Sequence, residues 1–347
     1  MNIENTPAVS TGNRPKEAVP TVGPDGKRRI AEIDYLKSIY IILMVIFHLV
    51  YIGDKYPYFK QIVYTFHMPA FLILSGYLVN VRKTPAAFAR SVLWLFIPYA
   101  IMESGYAFMA SVLPIRESID RFTWSVLLEK VFVRPLGPYW YLHTLIIAHI
   151  LCYTVHRIPF RDKLSQLIVL TACFGILAEC RIVSMTHALY FIIGFAISLF
   201  QQDLLSVFRP SCLSLAALTI LCLNPNHLES PSLWGVVITY LSFSFLLWVY
   251  PYISHGIRQP LQFIGKNTLS ILLFSPIFTL LSKPLTPLFS FDPTGLIFTC
   301  AAVSLTLCGS FAIAWTSDRL KLSRFFCGKP NLLIRNRQQT DLSAAPK

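Results

Sequence analysis

The first apolar segment of the sequence contains two ionisable side chains whose types and spacing suit a reaction. Lys37 and His48 are eleven positions apart, which is three turns of an α-helix, so both lie on one helix face, roughly 16 Å apart along the axis. Lysine can hold an anionic ligand as a mobile point charge, and histidine can accept and return a proton near neutral pH. Because ionisable groups inside membrane helices usually face a bundle interior, we interpret this face as an embedded reaction centre. The structural alternatives are a lysine that anchors the helix end and a core histidine bonded to a neighbouring helix.

Four further residues are candidates for the same centre. His67 lies near the start of the second apolar segment, and an antiparallel neighbouring helix brings it to the depth of His48. Glu103 falls in the middle of the third segment, where a carboxylate must be protonated, paired or in contact with water. It is a candidate to orient one of the imidazoles, and a pair with another polar core group is the structural alternative. Trp140 and Tyr141 are candidates for a platform that binds a sugar ring, with an aromatic belt at the membrane interface as the alternative.

Composition predicts the elements that must position these residues. The chain of 347 residues is 54% hydrophobic and 14% charged, with a mean hydropathy of +0.56, whereas soluble domains have about 45–50% apolar and about 25% charged residues. The excess is arranged in runs of about 16–22 residues, a length that spans a bilayer. We therefore predict an all-α polytopic membrane protein with about ten transmembrane helices. The predicted spans are 35–52, 62–80, 91–113, 139–156, 164–180, 186–201, 211–223, 233–250, 268–289 and 295–316.

The distribution of basic residues predicts the orientation of these spans. With both termini in the cytoplasm, 21 of the 30 Lys and Arg residues lie on the inner side and seven on the outer side, as the positive-inside rule favours. The net charge of +13 therefore marks the inner helix ends, and we expect no nucleic-acid partner.

The regions outside the spans are short. Residues 1–27 are predicted to be a disordered cytoplasmic tail, because they are rich in Pro, Thr, Gly and charge. Residues 28–318 are the predicted transmembrane domain, and 319–347 a basic cytoplasmic tail. The loop at 114–138 contains Trp124 and an apolar run, which favours either an interfacial amphipathic helix or a plain solvated connection. Eight cysteines occur without a C-x-x-C pair, so neither a disulfide framework nor a metal site is expected.

Several of these segments together resemble one family of membrane enzymes. In the first helix, Ile33-Asp34-Tyr35-Leu36 precedes Lys37, and ten residues separate Lys37 from His48. In the second, Phe66-His67-Met68-Pro69 is followed by Ser75-Gly76-Tyr77. These residues resemble the acyltransferase 3 family of integral membrane acyltransferases, particularly its fucose 4-O-acetylase-like branch. Looser similarities occur at Ile97-Pro98-Tyr99, Trp140-Tyr141-Leu142, Ala188 to Gly194 and Ile264 to Leu269.

The chain departs from the pattern of that family at two places. Many members have arginine at the position of Lys37, so the charge is kept here but the bidentate geometry of a guanidinium is not. Members often have a histidine shortly after the segment that resembles Ile264 to Leu269, whereas Phe274 and Ser275 occupy that region in this chain.

The resemblance implies a function. It implies an O-acetyltransferase of the bacterial inner membrane that moves acetyl from acetyl-CoA to a sugar hydroxyl of a cell-surface polysaccharide or lipid-linked glycan precursor. The phosphates of the donor would dock near Lys37, assisted by Arg28, Arg29 or Arg82. Succinyl-CoA as donor is an alternative within the same fold, and a glycolipid carrier with a histidine proton relay is an alternative from another class.

The implied reaction assigns roles to the two histidines. His48 either removes the proton from the acceptor hydroxyl as it attacks the thioester or first forms an acyl-histidine, and His67 steadies the acceptor or the oxyanion. The sequence leaves the choice between these routes open, together with the acceptor hydroxyl and the oligomeric state.

Overall fold

The structure is a computed structural model that describes residues 30–112, 118–229 and 232–334. Within these ranges the chain forms α-helices, short 3₁₀ segments and loops, and no strand occurs in them, so the predicted all-α class is confirmed. The predicted tail at 1–27, the candidate residues Arg28 and Arg29, and the last part of the basic tail at 335–347 lie outside the described residues.

The helices follow one another with short connections. In chain order, α1 to α15 are Ala31–His48, Val50–Lys55, Pro57–Leu78, Pro85–Val112, Trp124–Phe132, Trp140–Arg157, Lys163–Glu179, Met185–Leu199, Leu204–Val207, Leu213–Cys222, Leu233–Val249, His255–Lys266, Thr268–Leu281, Leu296–Arg319 and Ser323–Cys327. Two 3₁₀ segments matter for the site, namely Gly137–Tyr139 before α6 and Lys283–Phe289 after α13.

Among the described residues, three helical stretches are long and apolar enough to cross a bilayer, namely Pro85–Val112, Leu233–Tyr252 and Leu296–Arg319. The pair α12 and α13 adds a fourth if this pair, which bends by 82°, is one span. A helix overlaps each of the ten segments predicted as spans, but the number that crosses and the orientation stay predictions. Both α4 and α14 expose large apolar side chains, as a lipid-facing surface requires; examples are Leu93, Ile101 and Phe108 on α4 and Leu296, Ile297 and Trp315 on α14.

Helix α1 is surrounded by aromatic side chains from other helices. The fully buried Tyr40 ring lies 6.2 Å from Phe66, 6.2 Å from Phe71 and 5.6 Å from Phe243, in edge-to-face geometry, which is a favourable arrangement of aromatic pairs. The Tyr40 hydroxyl also lies 3.2 Å from the Ser242 hydroxyl. These contacts fix the rotation of α1 and therefore decide which of its faces presents Lys37 and His48.

A close helix crossing joins α3 and α8 through two glycines. A Cβ atom added to Gly76 would lie 2.1 Å from the carbonyl oxygen of Phe191, and one added to Gly194 would lie 1.9 Å from that of Ile73. Both distances are far inside van der Waals contact, so only glycine allows these backbones to approach. Gly76 and Gly194 therefore serve helix packing.

A second close contact joins α12 to α1. A Cβ on Gly265 would lie 1.7 Å from the carbonyl oxygen of Asp34, so the last turn of α12 packs directly against the helix that holds Lys37. The chain then turns at Asn267, whose side-chain amide donates to the Phe263 carbonyl at 2.8 Å, while its oxygen accepts the Ile334 N–H at 2.7 Å.

The described part of the predicted basic tail is folded. The carboxylate of Asp318, at the end of α14, accepts hydrogen bonds from the backbone N–H groups of Leu332 at 2.6 Å and Leu333 at 3.2 Å. Together with the pair between Asn267 and Ile334, these bonds hold residues 332–334 against the break between α12 and α13.

The loop at 114–138 contains helix α5, as one of the two sequence interpretations predicts. Thr123 precedes α5, and its hydroxyl oxygen accepts the Val126 N–H at 3.3 Å, which is the bonding pattern of a helix cap. Trp124, Leu128 and Phe132 recur at intervals of four residues and are exposed, so they form one apolar stripe on the outer face of α5.

Helix α14 begins at a second cap. Asp292 accepts the Ile297 N–H at 2.8 Å and the Thr294 N–H at 2.9 Å, and it also accepts the Thr294 hydroxyl. The Thr294 hydroxyl and the Ile297 N–H lower the pKa of this loop carboxyl below its ordinary value, because they stabilise its charged form.

Candidate active site

Three adjoining cavities follow the face of α1 that holds Lys37 and His48. The Lys37 cavity has a volume of about 270 Å³, and its walls include Lys37, Met44, Met68 and Leu272. The His67 cavity, of about 250 Å³, shares Met44, Met68 and Leu272 with it and adds His67 and His48. The Lys283 cavity, of about 610 Å³, shares Met44, His48, Tyr64, Pro138 and Trp140 with the His67 cavity. The cavities therefore adjoin one another along α1, with Met44 in the wall of all three, and we call this row of cavities the path.

Each end of this path reaches the surface. Leu78, in the wall of the Lys37 cavity, is 47% exposed. At the opposite end, Val50 and Ile101 line the Lys283 cavity and are also exposed. Exposed side chains therefore border the path at both ends, one end beside Lys37 and the other beside Lys283.

The two histidines are held in the same way. His48 Nδ1 lies 2.7 Å from the carbonyl oxygen of Met44, and His67 Nδ1 lies 2.7 Å from that of Val63. Because a carbonyl oxygen only accepts hydrogen bonds, each Nδ1 bears the proton and each Nε2 of the neutral ring is a proton acceptor. In the described part of the chain, the buried Nε2 of His67 has no hydrogen-bond partner, although it borders a cavity. A group that donates to this nitrogen is therefore expected when the cavity is occupied.

The ring of Tyr64 packs against both imidazoles. Its centroid is 5.9 Å from that of His48 and 5.1 Å from that of His67, and its hydroxyl donates to the Phe47 carbonyl at 3.2 Å. Tyr64 therefore supports both histidines and forms part of the wall that the His67 and Lys283 cavities share.

The Lys37 end combines one charge with several neutral polar groups. The Lys37 ammonium lies 3.1 Å from the Asp34 carboxylate, an ion pair that their separation of three residues on one helix allows. Ser75 and Tyr141 face the same cavity, with their hydroxyl oxygens 2.7 Å apart. His149 completes this group, and its Nδ1 donates to the Leu145 carbonyl at 2.7 Å. The cavity can therefore offer a cation and several hydrogen-bonding groups to an extended anionic molecule.

Glu103 anchors the loop that precedes α6. Its Oε1 accepts the backbone N–H of Leu136 at 2.7 Å. Gly137 follows with φ +54°, a backbone conformation that glycine adopts without strain. The Tyr139 hydroxyl then donates to the Leu273 carbonyl at 2.8 Å. These contacts fix the 3₁₀ segment Gly137–Tyr139 and with it Trp140, so the structure gives Glu103 a positioning role. Its predicted partnership with a histidine stays a prediction.

The aromatic platform predicted at residues 140–141 is divided between cavities. Trp140 lines the His67 and Lys283 cavities and stacks on His187, with ring centroids 4.1 Å apart and an interplanar angle of 18°. Tyr141 instead lines the Lys37 cavity. Successive residues of an α-helix point about 100° apart, so adjacent positions face different spaces. Trp140 keeps its place as a candidate sugar platform, and Tyr141 lies with Lys37.

The structure thus brings together most of the predicted site. His48, His67 and Trp140 border one cavity, and Lys37 borders the next along the same helix. Arg82 lies on the loop after α3 and is exposed, with its backbone N–H donating to the Asn80 side chain. It does not line any of the three cavities.

Two site residues escape the sequence analysis, His149 and Tyr64. His149 is an isolated polar residue in the apolar run of α6, which is the same signal that marks His48 in α1. Tyr64 precedes His67 by three positions and therefore lies on the same face of α3. Met44 gives no such signal, because a methionine within an apolar helix is typical of packing.

Comparison with known proteins assigns the chain. A family model described as an acyltransferase domain matches residues 30–315, which is most of the sequence and includes every residue that lines the three cavities. No curated protein and no solved structure matches the chain significantly.

Proposed function

This chain belongs to the acyltransferase 3 family, and from this premise we propose that it is a membrane-embedded O-acetyltransferase. It moves acetyl from acetyl-CoA to a sugar hydroxyl of a cell-surface polysaccharide or lipid-linked glycan precursor. The observation that supports this proposal most directly is the path of three cavities, in which Met44 joins the Lys37 end to the two histidines.

The donor occupies the Lys37 cavity in this proposal. A phosphate of CoA lies near the Lys37 ammonium, and the pantetheine arm extends past Met44 toward His48. Eleven residues of helix separate the two side chains, which is roughly 16 Å, a span that an extended pantetheine arm can cover. Ser75, Tyr141 and His149 border this route and supply hydrogen bonds to the amides of the arm.

The acceptor approaches His48 from the Lys283 cavity. Nε2 of His48 removes the hydroxyl proton while the hydroxyl oxygen attacks the thioester carbonyl carbon. The new C–O bond forms, the C–S bond breaks, and the imidazolium returns the proton to the CoA sulfur. In the covalent alternative, Nε2 attacks the carbonyl first and CoA leaves, after which the hydroxyl oxygen takes the acyl group from the ring. His67 Nε2 accepts a hydrogen bond from a second hydroxyl of the acceptor and so orients the acceptor.

The proposed arrangement in the bilayer has ten spans with both termini in the cytoplasm of a bacterial inner membrane. The inner-side excess of Lys and Arg supports this orientation. It places the Lys37 opening toward cytosolic acetyl-CoA and the Lys283 opening toward the outer leaflet. Reporter fusions at residues 83, 116 and 209 test it, and an external signal at 83 or 209 would contradict it.

One experiment separates this function from its alternatives. Purified protein in lipid nanodiscs is supplied with acetyl-CoA labelled in the acetyl group and with envelope glycan from a strain that lacks the gene. The enzyme proposal predicts label in the glycan and stoichiometric free CoA. Movement of glycolipid between leaflets without label transfer would instead support a carrier. If labelled succinyl-CoA, and not labelled acetyl-CoA, gave label in the glycan, succinyl-CoA would be the donor.

Replacing Lys37 with methionine is expected to raise the KM for acetyl-CoA by about tenfold, because hydrogen bonds to charged groups contribute about 1.5–3 kcal/mol. The rate constant kcat is expected to change much less. Steady-state kinetics with acetyl-CoA and with acetyl-pantetheine, which lacks phosphates, provides the measurement. The KM for acetyl-pantetheine should stay the same, and Lys37→Arg should restore most of the affinity for acetyl-CoA. Equal losses with both donors would show that Lys37 does not contact a phosphate.

Replacing Met44 with tryptophan is expected to lower the transfer rate by about 100-fold, because the larger side chain obstructs the junction and displaces the thioester from His48. Binding of desulfo-CoA at the Lys37 end should be retained in a calorimetric titration. Met44→Leu conserves volume and serves as the matched control, with activity close to that of the unmodified protein. Full activity of Met44→Trp would mean that the donor reaches the histidines by another route.

A further inference from the structure

The Lys283 cavity has an unusual set of charges for a chamber within a membrane protein. Its walls include Lys60, Lys283 and Asp54, so two cations face one anion. The remaining walls are apolar, aromatic or uncharged, apart from His48. Low-dielectric walls around charges of one sign concentrate the field inside a cleft, and the field here attracts anions.

The two lysines lie at different depths. Lys60 is in the first turn of α3 and is half-buried, with its ammonium 5.6 Å from the centroid of the Tyr64 ring that packs against both histidines. Lys283 begins the 3₁₀ segment after α13 and is exposed at the rim, as is Asp54 on α2. Charge is therefore available both at the opening and close to the reacting histidine.

Neither lysine forms an ion pair with a carboxylate in the described ranges, where the ion pairs are Lys37 with Asp34 and Arg134 with Glu129. A half-buried ammonium beside a histidine is desolvated without a compensating charge, which is costly. An anionic group on a bound molecule would supply that compensation. The donor phosphates do not meet this need, because they belong to the Lys37 end, three helical turns away.

We infer that the acceptor is an acidic sugar, with a carboxylate or phosphate that contacts Lys60 and Lys283 while its hydroxyl lies at His48. This inference deepens the proposed function and depends on it. Uronic acid residues and sugar phosphates present an anion within a few ångströms of a free hydroxyl, which fits a cavity of about 610 Å³. Asp54 at the rim repels anions and thereby sets the position that the acidic group adopts.

Calorimetric titration of the full chain in nanodiscs tests this inference without any need for turnover. The probes are methyl glucoside, methyl glucuronide and methyl glucoside 6-phosphate, which share a ring and differ in charge at one carbon. At least one charged glycoside is expected to bind about tenfold more tightly than the neutral one, and its identity distinguishes carboxylate from phosphate. Equal affinities, or no binding of any probe, would overturn the inference.

Variants locate the effect. Lys60→Gln and Lys283→Gln are each expected to lower the affinity for the charged glycoside several-fold and to leave the affinity for the neutral glycoside unchanged. Asp54→Asn should raise the affinity for the charged glycoside. Lys55 is the matched control, because it is the exposed lysine next to Asp54 and does not line the cavity. Lys55→Gln should therefore leave the affinities for both glycosides unchanged. If Lys55→Gln lowered the affinity for the charged glycoside as much as Lys283→Gln, the effect would come from surface charge and the inference would be overturned.

The two proposals fail separately. Transfer of labelled acetyl to envelope glycan with no preference for charged glycosides would remove the inference and keep the proposed function. A preference for charged glycosides without any acetyl transfer would remove the proposed function, and the acidic ligand would then be the cargo of a carrier.

Discussion

Replacing His48 with alanine is expected to lower acetyl transfer by about 10²–10⁴-fold, the usual contribution of a positioned general base. The Nδ1 of this ring donates to the Met44 carbonyl 2.7 Å away, so Nε2 is the atom that can accept a proton where the His67 and Lys283 cavities adjoin. Transfer is measured as label in the glycan. Because the ring lies at a cavity wall, its removal enlarges existing space, and the protein is expected to remain folded and inserted.

Two controls separate chemistry from structure. Added imidazole can enter the adjoining cavity of about 610 Å³ and is expected to restore part of the lost rate, which a purely structural defect would not allow. His255→Ala removes an exposed histidine at the start of α12 that lines none of the three cavities, and it should leave transfer unchanged. Full activity of His48→Ala would remove this residue from the mechanism.

The second large effect concerns stability. Gly194→Ala is expected to lower the free energy of unfolding by at least about 1–3 kcal/mol, the usual cost of overpacking, because its Cβ would lie 1.9 Å from the Ile73 carbonyl oxygen. Backbone cannot move aside as a flexible side chain can, so α3 and α8 must separate. Since α3 holds His67 and Tyr64, transfer should fall as well. The melting temperature of the protein in detergent, followed by intrinsic fluorescence, provides the measurement.

Gly175 provides a matched control, because an alanine at this position is expected not to lower stability. Gly175, in α7, has no atom within 4 Å of an added Cβ, so Gly175→Ala should leave stability unchanged or raise it by about 0.5–1 kcal/mol through the entropy of the unfolded chain. Gly76→Ala should resemble Gly194→Ala, and the double variant should be less than additive, because both changes disrupt one crossing. A similar melting temperature for Gly175→Ala and Gly194→Ala would contradict the crossing geometry.

Much of the site could be predicted from local spacing. The positions of Lys37 and His48 on one face follow from the period of the helix, and the pair between Asp34 and Lys37 follows from a separation of three residues. Antiparallel neighbours explain why His67 lies at the depth of His48. Each of these inferences needs only the geometry of one helix or of two adjacent helices.

Other parts of the site depend on contacts between distant positions and could not be predicted. Glu103 binds the backbone of Leu136, 33 residues later, and this bond follows from the path of a loop that no periodicity specifies. The separation of Trp140 from Tyr141 depends on the rotation of α6 relative to α1. The hydrogen bond between Asn267 and Ile334 joins positions 67 residues apart, whereas the sequence analysis predicts only a basic tail around Ile334.

For the fold, too, the sequence predicts local features better than features that depend on distant contacts. Apolar runs predict where helices occur, but helix ends follow from caps and breaks such as Asn267, where an apolar segment bends by 82° relative to the helix before it. A hydropathy pattern therefore gives the number of helical segments more reliably than the number that crosses the bilayer, because segments of similar composition can cross, bend or end early.

The path through Met44 reaches the surface at each end, and this arrangement bears on the order of events. In the direct route both substrates are present together, so initial rates plotted for several fixed concentrations of one substrate should give intersecting lines. The acyl-histidine route, in which CoA leaves first, should give parallel lines. In the proposed orientation, coenzyme and modified sugar depart in opposite directions. Only an acetyl group then crosses the membrane, while its donor and its recipient each stay on the side from which they came.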